Sequence, residues 1–192
     1  TRPAGWSPGR GLVARFGKTD LDGTRFFDAG DVGRFGFDDR FTLACRINPR
    51  KPDGTILSRG VDEPRGEGYG LHLVGGRLQV HLTKRWLDDA LRLETIDAVP
   101  LDKRSHVVVT YDASRTAAGT KVYVDGVEAK TRVHLDELNQ SFDTKEPFRV
   151  GGGGGKDSRF DGTLDDVRIF STAMEDADVR LLAVAETPAE GA

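Results

Sequence analysis

The sequence predicts an all-β fold, two antiparallel sheets stacked as a sandwich and closed by one short C-terminal helix. Three observations carry that prediction. Glycine accounts for 24 of the 192 residues, and much of it sits in acidic-glycine turns spread along the chain. Short segments of alternating apolar and polar residues recur between those turns, as strands do. No strand–helix–strand alternation is present, which excludes a doubly wound parallel sheet.

The expected strands run in order. Leu12 to Phe16 and Thr24 to Phe27 come first, then Phe41 to Ile47, whose apolar residues Phe41, Leu43, Cys45 and Ile47 share one face. Thr55 to Ser58 follows the turn Pro52-Asp53-Gly54. Gly68 to Val74 and Arg77 to Thr83 flank Gly75-Gly76, and Lys121 to Val124 and Val127 to Lys130 flank Asp125-Gly126, two strong hairpin signals. Leu91 to Thr95, His106 to Tyr111, Phe148 to Val150 and Thr163 to Phe170 complete the set. Only Leu135 to Asn139 and Ser171 to Val184 look helical, the second with Ser171 or Thr172 as N-cap. The expected domain spans 11–184, between an N-terminal extension (1–10) and a small, polar C-terminal tail (185–192).

Composition narrows the function classes. Hydrophobic residues make up 37% and charged residues 31%, with signs interspersed and a net charge of -3. No basic stripe is present, so a nucleic-acid partner is not expected. No run approaches the ~18 apolar residues of a membrane span, and no signal peptide is visible. The single cysteine, Cys45, rules out an internal disulfide framework and reads as a small buried hydrophobe.

The C-terminal third carries a resemblance. Phe160-Asp161-Gly162-Thr163-Leu164-Asp165-Asp166-Val167-Arg168-Ile169-Phe170, followed by Ala173-Met174, resembles the ending of laminin G-like, concanavalin A-like jelly-roll domains. His106-Val107-Val108-Val109-Thr110-Tyr111-Asp112 and Lys121-Val122-Tyr123-Val124-Asp125-Gly126-Val127 are similar to the core of the same family, with Ser105 standing where many members carry an aromatic or histidine. The likeness spans roughly residues 20 to 183. Gly68-Tyr69-Gly70-Leu71-His72-Leu73 and Arg85-Trp86-Leu87-Asp88-Asp89-Ala90-Leu91 resemble the laminin G-like domain embedded in large bacterial multidomain proteins that also carry cytochrome c-type domains. The resemblance implies a jelly-roll sandwich placed outside the cytoplasm; fold transfers from such a likeness and function does not.

Alternation then sorts candidate residues. In the strands around 68–74, 77–83 and 91–95, the leucines, Tyr69 and Val80 point inward. His72, Gln79, His81, Arg92 and Glu94 therefore point outward, with Arg85 and Trp86 at the rim. Such a concave face suits a poly- or oligosaccharide, because an aromatic plane meets sugar C–H groups while planar polar groups bind vicinal hydroxyls. The same pattern also fits a plain solvated face with Trp86 packed over a loop. Trp6, in the proline- and glycine-rich opening, is expected to pack against the sandwich.

Family likeness implies a structural calcium where the first and last strands meet, held by Asp28 with Asp165 or Asp166. Calcium needs six to eight oxygens, and ion pairs with Arg168 or Arg25, or a turn cap, explain the same residues equally well. Asp38-Asp39 and Asp88-Asp89 read as loop charges, and Gly151 to Gly155 as a flexible turn. No strand places two carboxylates about 5 Å apart, as retaining glycoside hydrolysis requires. The sequence therefore favours a non-catalytic carbohydrate-binding module, with a protein-interaction or architectural domain of a longer chain as the alternative, and a polysaccharide-cleaving enzyme behind both.

Overall fold

A computed structural model describes residues 10–185; Trp6 and the tail from 186 onward lie outside them. The described strands are β1 (Leu12–Phe16), β2 (Thr19–Asp22), β3 (Phe27–Asp28), β4 (Phe41–Pro49), β5 (Gly54–Gly60), β6 (Gly68–Val74), β7 (Arg77–Arg85), β8 (Asp89–Ala98), β9 (Ser105–Tyr111), β10 (Thr120–Val124), β11 (Val127–Glu128), β12 (Thr131–Asp136), β13 (Phe148–Val150) and β14 (Asp161–Phe170). One helix, α1 (Asp176–Val184), follows. The back sheet runs β1-β14-β4-β9-β10-β11, with β2 also pairing β14. The front sheet runs β12-β8-β7-β6-β5-β13-β3.

Between the sheets lies one apolar core. Leu43, Cys45, Ile47, Val107, Val109 and Ile169 face Leu71, Leu73, Leu78, Val80, Leu82 and Leu93, all nearly or fully buried. Burial pushes the Cys45 thiol up to about 12, as expected of a cysteine that packs rather than reacts. In β14 the inward residues Leu164 and Val167 are three apart, which strict alternation forbids. The strand solves this with a bulge: its pairing with β4 shifts between Asp165 and Arg168, and Asp166 takes φ +48°.

Two sequence expectations are corrected. Residues 131–136 form strand β12, paired antiparallel with β8, so Leu135 lies in a sheet and not in a helix. Pairing across a sheet overrode a local pattern too short to specify either state. The helix begins five residues later than expected, with Glu175 at its N-cap rather than Ser171 or Thr172. Thr42 explains the delay: its hydroxyl donates to the Thr172 carbonyl (2.7 Å) and accepts from the Met174 amide (3.0 Å), which holds the chain extended there. β2 was not anticipated, and the second expected strand shrinks to Phe27–Asp28.

Helix α1 lies on the outer face of the back sheet. Val179 and Leu182 pack there with Ala44, Val108, Tyr123 and Phe170, the outward residues of four strands, and Met174 packs against them. Among the described residues no helix lies on the outer face of the front sheet, and the candidate site is found there.

Candidate functional site

β6, β7 and β8 are neighbours in the front sheet, as expected, and their outward residues fall into cross-strand register. His72 opposes Gln79, His81 opposes Arg92, and Gln79 opposes Glu94. The remaining outward positions of β6 are Gly68, Gly70 and, at its end, Val74. Two missing side chains leave a depression in the sheet surface. Around it lies a pocket of about 310 Å³, lined by His72, His81, Trp86, Arg65, Ser58 and Ser158 among others.

Each wall has a local cause. The loop after β5 carries Asp62, which accepts from both terminal nitrogens of Arg159 (2.8 and 2.6 Å) and from the Gly155 amide (3.0 Å). That ion pair ties the loop holding Pro64 and Arg65 to the glycine-rich segment. Gly151 to Gly155 is no flexible turn: four of the five glycines are buried, and Gly153 and Gly154 line the pocket. Gly153 has φ +114°, and a Cβ there would meet the Ser58 hydroxyl at 1.8 Å. Only glycine permits this close approach.

Aromatic rings form the opposite wall. The His72 and His81 rings stack with centroids 4.5 Å apart, and Trp86 meets His81 edge-on at 5.0 Å. The Arg92 guanidinium lies over the Trp86 ring, 4.0 Å from its centroid, and Arg65 approaches it to 5.4 Å. The Arg92 Nε is buried without a hydrogen-bond partner, so the indole is its main neighbour.

A polar chain fixes the imidazoles. Gln79 donates from Nε2 to Glu94 (2.6 Å), which leaves its Oε1 to accept from His81 Nε2 (2.9 Å). His81 therefore carries its proton on Nε2. His72 Nδ1 pairs with the Thr55 hydroxyl (2.9 Å), itself 2.9 Å from Ser158 Oγ. Burial pushes His72 down to about 4, and holds His81 well below its ordinary value, helped by the nearby charges of His72, Arg92 and His134. Both rings are neutral at pH 7. With His81 Nε2 spent on Gln79 and His72 Nδ1 on Thr55, each ring keeps one nitrogen for a ligand, an acceptor in His81 Nδ1.

Of the seven candidate ligand-binding residues, the pocket takes in His72, His81 and Trp86. Gln79, Glu94 and Arg92 stand behind these as supports, positioning His81 and Trp86. Arg85 lies apart, exposed and bonded to Asp88 (2.9 Å). Sequence reasoning missed Arg65, Ser58, Ser158 and the glycines. The outward glycines of β6 were the available signal, since a side chain absent from an outer face marks a depression.

The anticipated calcium ligands are not brought together. Asp28 sits on β3 in the front sheet, its carboxylate accepting from the Gly30 amide (2.8 Å). Asp166, in the back sheet, is buried between Arg168 (2.8 Å to each oxygen) and Arg15 (2.8 Å), and these guanidiniums hold its carboxyl below the usual range against the opposing pull of burial. Asp165 pairs with Arg104 (2.9 Å). Oxygens committed to guanidiniums do not suit calcium, and the ion-pair alternative describes Asp166. Among the described residues no group of three or more histidine, cysteine, aspartate or glutamate side chains could hold a metal. Asp89 is likewise no loop charge: it is buried and accepts from the Asn139 and Gln140 amides and the Gln140 side chain.

A two-sheet antiparallel sandwich of this order, with one short C-terminal helix, is the concanavalin A-like architecture. The chain belongs to the concanavalin A-like lectin/glucanases superfamily, whose laminin G-like family profile matches residues 21–180. Among solved structures it is similar to the CBM40 domain of the Ruminococcus gnavus IT-sialidase bound to α2,3-sialyllactose. That match has TM-score 0.71 and 12% identity, covering 90% of this chain and 99% of that one. It is also similar to the leech intramolecular trans-sialidase (TM-score 0.71, 14% identity, 95% of this chain and 29% of that one). The sialidase of Trypanosoma rangeli in complex with the inhibitor DANA matches at TM-score 0.53 and 21% identity, over 77% of this chain and 23% of that one. At these identities the likeness shows the fold. Comparison with curated proteins gives no match. Among the described residues no helix is long and apolar enough to cross a membrane.

Proposed function

We propose that this domain is a non-catalytic carbohydrate-binding module, acting outside the cytoplasm, that takes a poly- or oligosaccharide end into the front-sheet pocket. The observation that carries this reading is the pocket's composition. The exposed part of the Trp86 ring supplies an apolar surface, His72 and His81 are held neutral, and Ser158 and Arg65 offer hydroxyl and guanidinium groups. A pocket of this volume has room for one sugar residue with the rest of the glycan outside, so a terminal or branch sugar is the expected ligand. The sialyllactose-bound CBM40 domains of similar fold make sialyllactose a natural first ligand to try. The carboxylates at the pocket, Glu63 and Asp157, are exposed at its rim, and Asp157 pairs with Lys156. That arrangement lacks a sheltered acid for glycosidic cleavage.

Affinity gel electrophoresis against soluble polysaccharides, with soluble oligosaccharides including sialyllactose as competitors, tests this reading. Retardation by one glycan class that is lost in Trp86→Ala, and unchanged by EDTA, is the expected result. A folded protein that no glycan retards or competes overturns it in favour of an architectural role within a longer chain.

A further inference from the structure

Two loops make one side of the front-sheet pocket, and one carboxylate holds both. The loop from β5 to β6, residues 61–67, is closed at its base, where the Val61 amide donates to the Glu67 carbonyl (2.8 Å). The Glu67 carboxylate pairs with Lys84 on β7 (2.6 Å). The tip of this loop presents Pro64 and Arg65 to the pocket, and the glycine-rich segment after β13 runs beside it. Asp62 joins the two. Its Oδ1 accepts from the Gly155 amide and from Arg159 Nη1, and its Oδ2 accepts from Arg159 Nη2. Arg159 is mostly buried and lies over the Phe26 ring, 4.6 Å from its centroid. Hydrogen bonds from Arg159 hold the Asp62 carboxyl below the usual carboxylate range, so it is charged at neutral pH.

What this hub holds is not a relaxed loop. Arg65 has φ +66°, a left-handed backbone that a residue with a Cβ keeps only where its surroundings impose it. In that conformation its guanidinium reaches the Trp86 ring, 5.4 Å from the centroid, on the other wall of the pocket. Among the described residues that guanidinium makes no ion pair and no hydrogen bond, so its donors stay open to a ligand. Neither Asp62 nor Arg159 lies in a strand of either sheet. Their pair joins two loops that both line the pocket, and the pocket's shape is what it fixes.

We propose that Asp62 is a positioning residue of the pocket: without touching the ligand, it sets Arg65 against Trp86 before binding. The guanidinium then need not be ordered when a glycan arrives, and that ordering would otherwise weaken binding. The effect on affinity rests on the carbohydrate reading above; the effect on the ligand-free pocket does not.

Indole N–H resonances of the full chain in ¹H–¹⁵N spectra, with Trp86 assigned by Trp86→Phe, test the proposal alongside titration with α2,3-sialyllactose. Asp62→Asn keeps the shape and removes the charge, whereas Arg159→Lys keeps the charge and removes the two-pronged geometry. Each is expected to shift the Trp86 indole resonance, on the opposite wall, and to speed amide exchange at Arg65 and Gly155. In an Arg65→Ala background the same substitutions move the indole no further, because the effect travels through Arg65. Affinity for sialyllactose falls about tenfold in Asp62→Asn, the cost of ordering one long side chain on binding. In the Arg65→Ala background Asp62→Asn costs no further affinity. A Trp86 resonance that stays in place in both folded variants overturns the positioning role, as does an undiminished shift in the Arg65→Ala background. Unfolding of both variants, or unchanged affinity in Asp62→Asn where the wild type binds, overturns it too. A wild type that binds no sialyllactose, while its indole responds as described, counts against that ligand and supports the clamp.

Discussion

The two sheets turn their outer faces to different uses. On the back sheet the outward residues Ala44, Val108, Tyr123 and Phe170 are apolar, and α1 covers them. On the front sheet the corresponding positions hold Gly68, Gly70, His72, Gln79, His81 and Arg92, and among the described residues no helix lies over them. One face is finished by packing and the other is left concave, aromatic and polar. The contrast shows that an outward residue's partner decides its role: Phe170 and His72 both point away from the core, yet only one needs the fold's own helix. Stability should therefore depend on the first face and ligand binding on the second.

Substitutions on the covered face should cost most. Phe170→Ala removes a fully buried ring beneath α1 and should lower stability by about 3–5 kcal/mol in denaturant melts. It should leave glycan affinity unaltered wherever the protein still folds. Asp166→Asn, which strips the carboxylate from Arg168 and leaves that buried guanidinium uncompensated, should cost about 3 kcal/mol. Because the folded pKa of Asp166 is depressed, its contribution is present above about pH 4, the range of an unperturbed aspartate, and is lost as pH falls through the lower folded value.

Acid should also act through the histidines. His72 and His106 titrate near 4 in the folded chain against an ordinary 6.5, so the unfolded chain takes up their protons first. Stability should be full above about pH 6.5 and fall steadily as pH drops toward 4, by up to about 1.4 kcal/mol per pH unit for the buried His106. His106→Gln should flatten that slope in pH-dependent melts. The smallest effect belongs to Arg85→Ala, which breaks an exposed pair and should change both stability and glycan affinity negligibly, within about 0.5 kcal/mol. A large loss of affinity there would erase the distinction between pocket and rim.

Much of this was legible from alternation alone. Period-2 patterns around Leu71, Leu78, Val80 and Leu93 placed the core and the outward histidines, and the Gly75-Gly76 turn placed β6 against β7. What alternation cannot read is where side chains stop. Gln79 and Arg92 point outward as expected, yet bond to neighbours on the sheet rather than to open space, because cross-strand partners were invisible in sequence. Gly151 to Gly155 lacked side chains to interpret, and its packing against Ser58 and Pro64 comes only from long-range contacts. The metal expectation failed to assemble for a related reason: Asp28 and Asp166 lie in different sheets, and nothing local says so.

The central claim is that the front-sheet depression left by the β6 glycines receives a sugar. Saturation-transfer NMR across a glycan panel, comparing the wild type with Gly70→Val, tests it most directly. A side chain at Gly70 would run into the His72 Nε2, 2.6 Å from an added Cβ, and fill the floor of the pocket. The account expects transfer to one glycan class in the wild type and its loss in Gly70→Val, with the fold retained. Transfer that survives in Gly70→Val, or a wild type that transfers to no glycan, would contradict it.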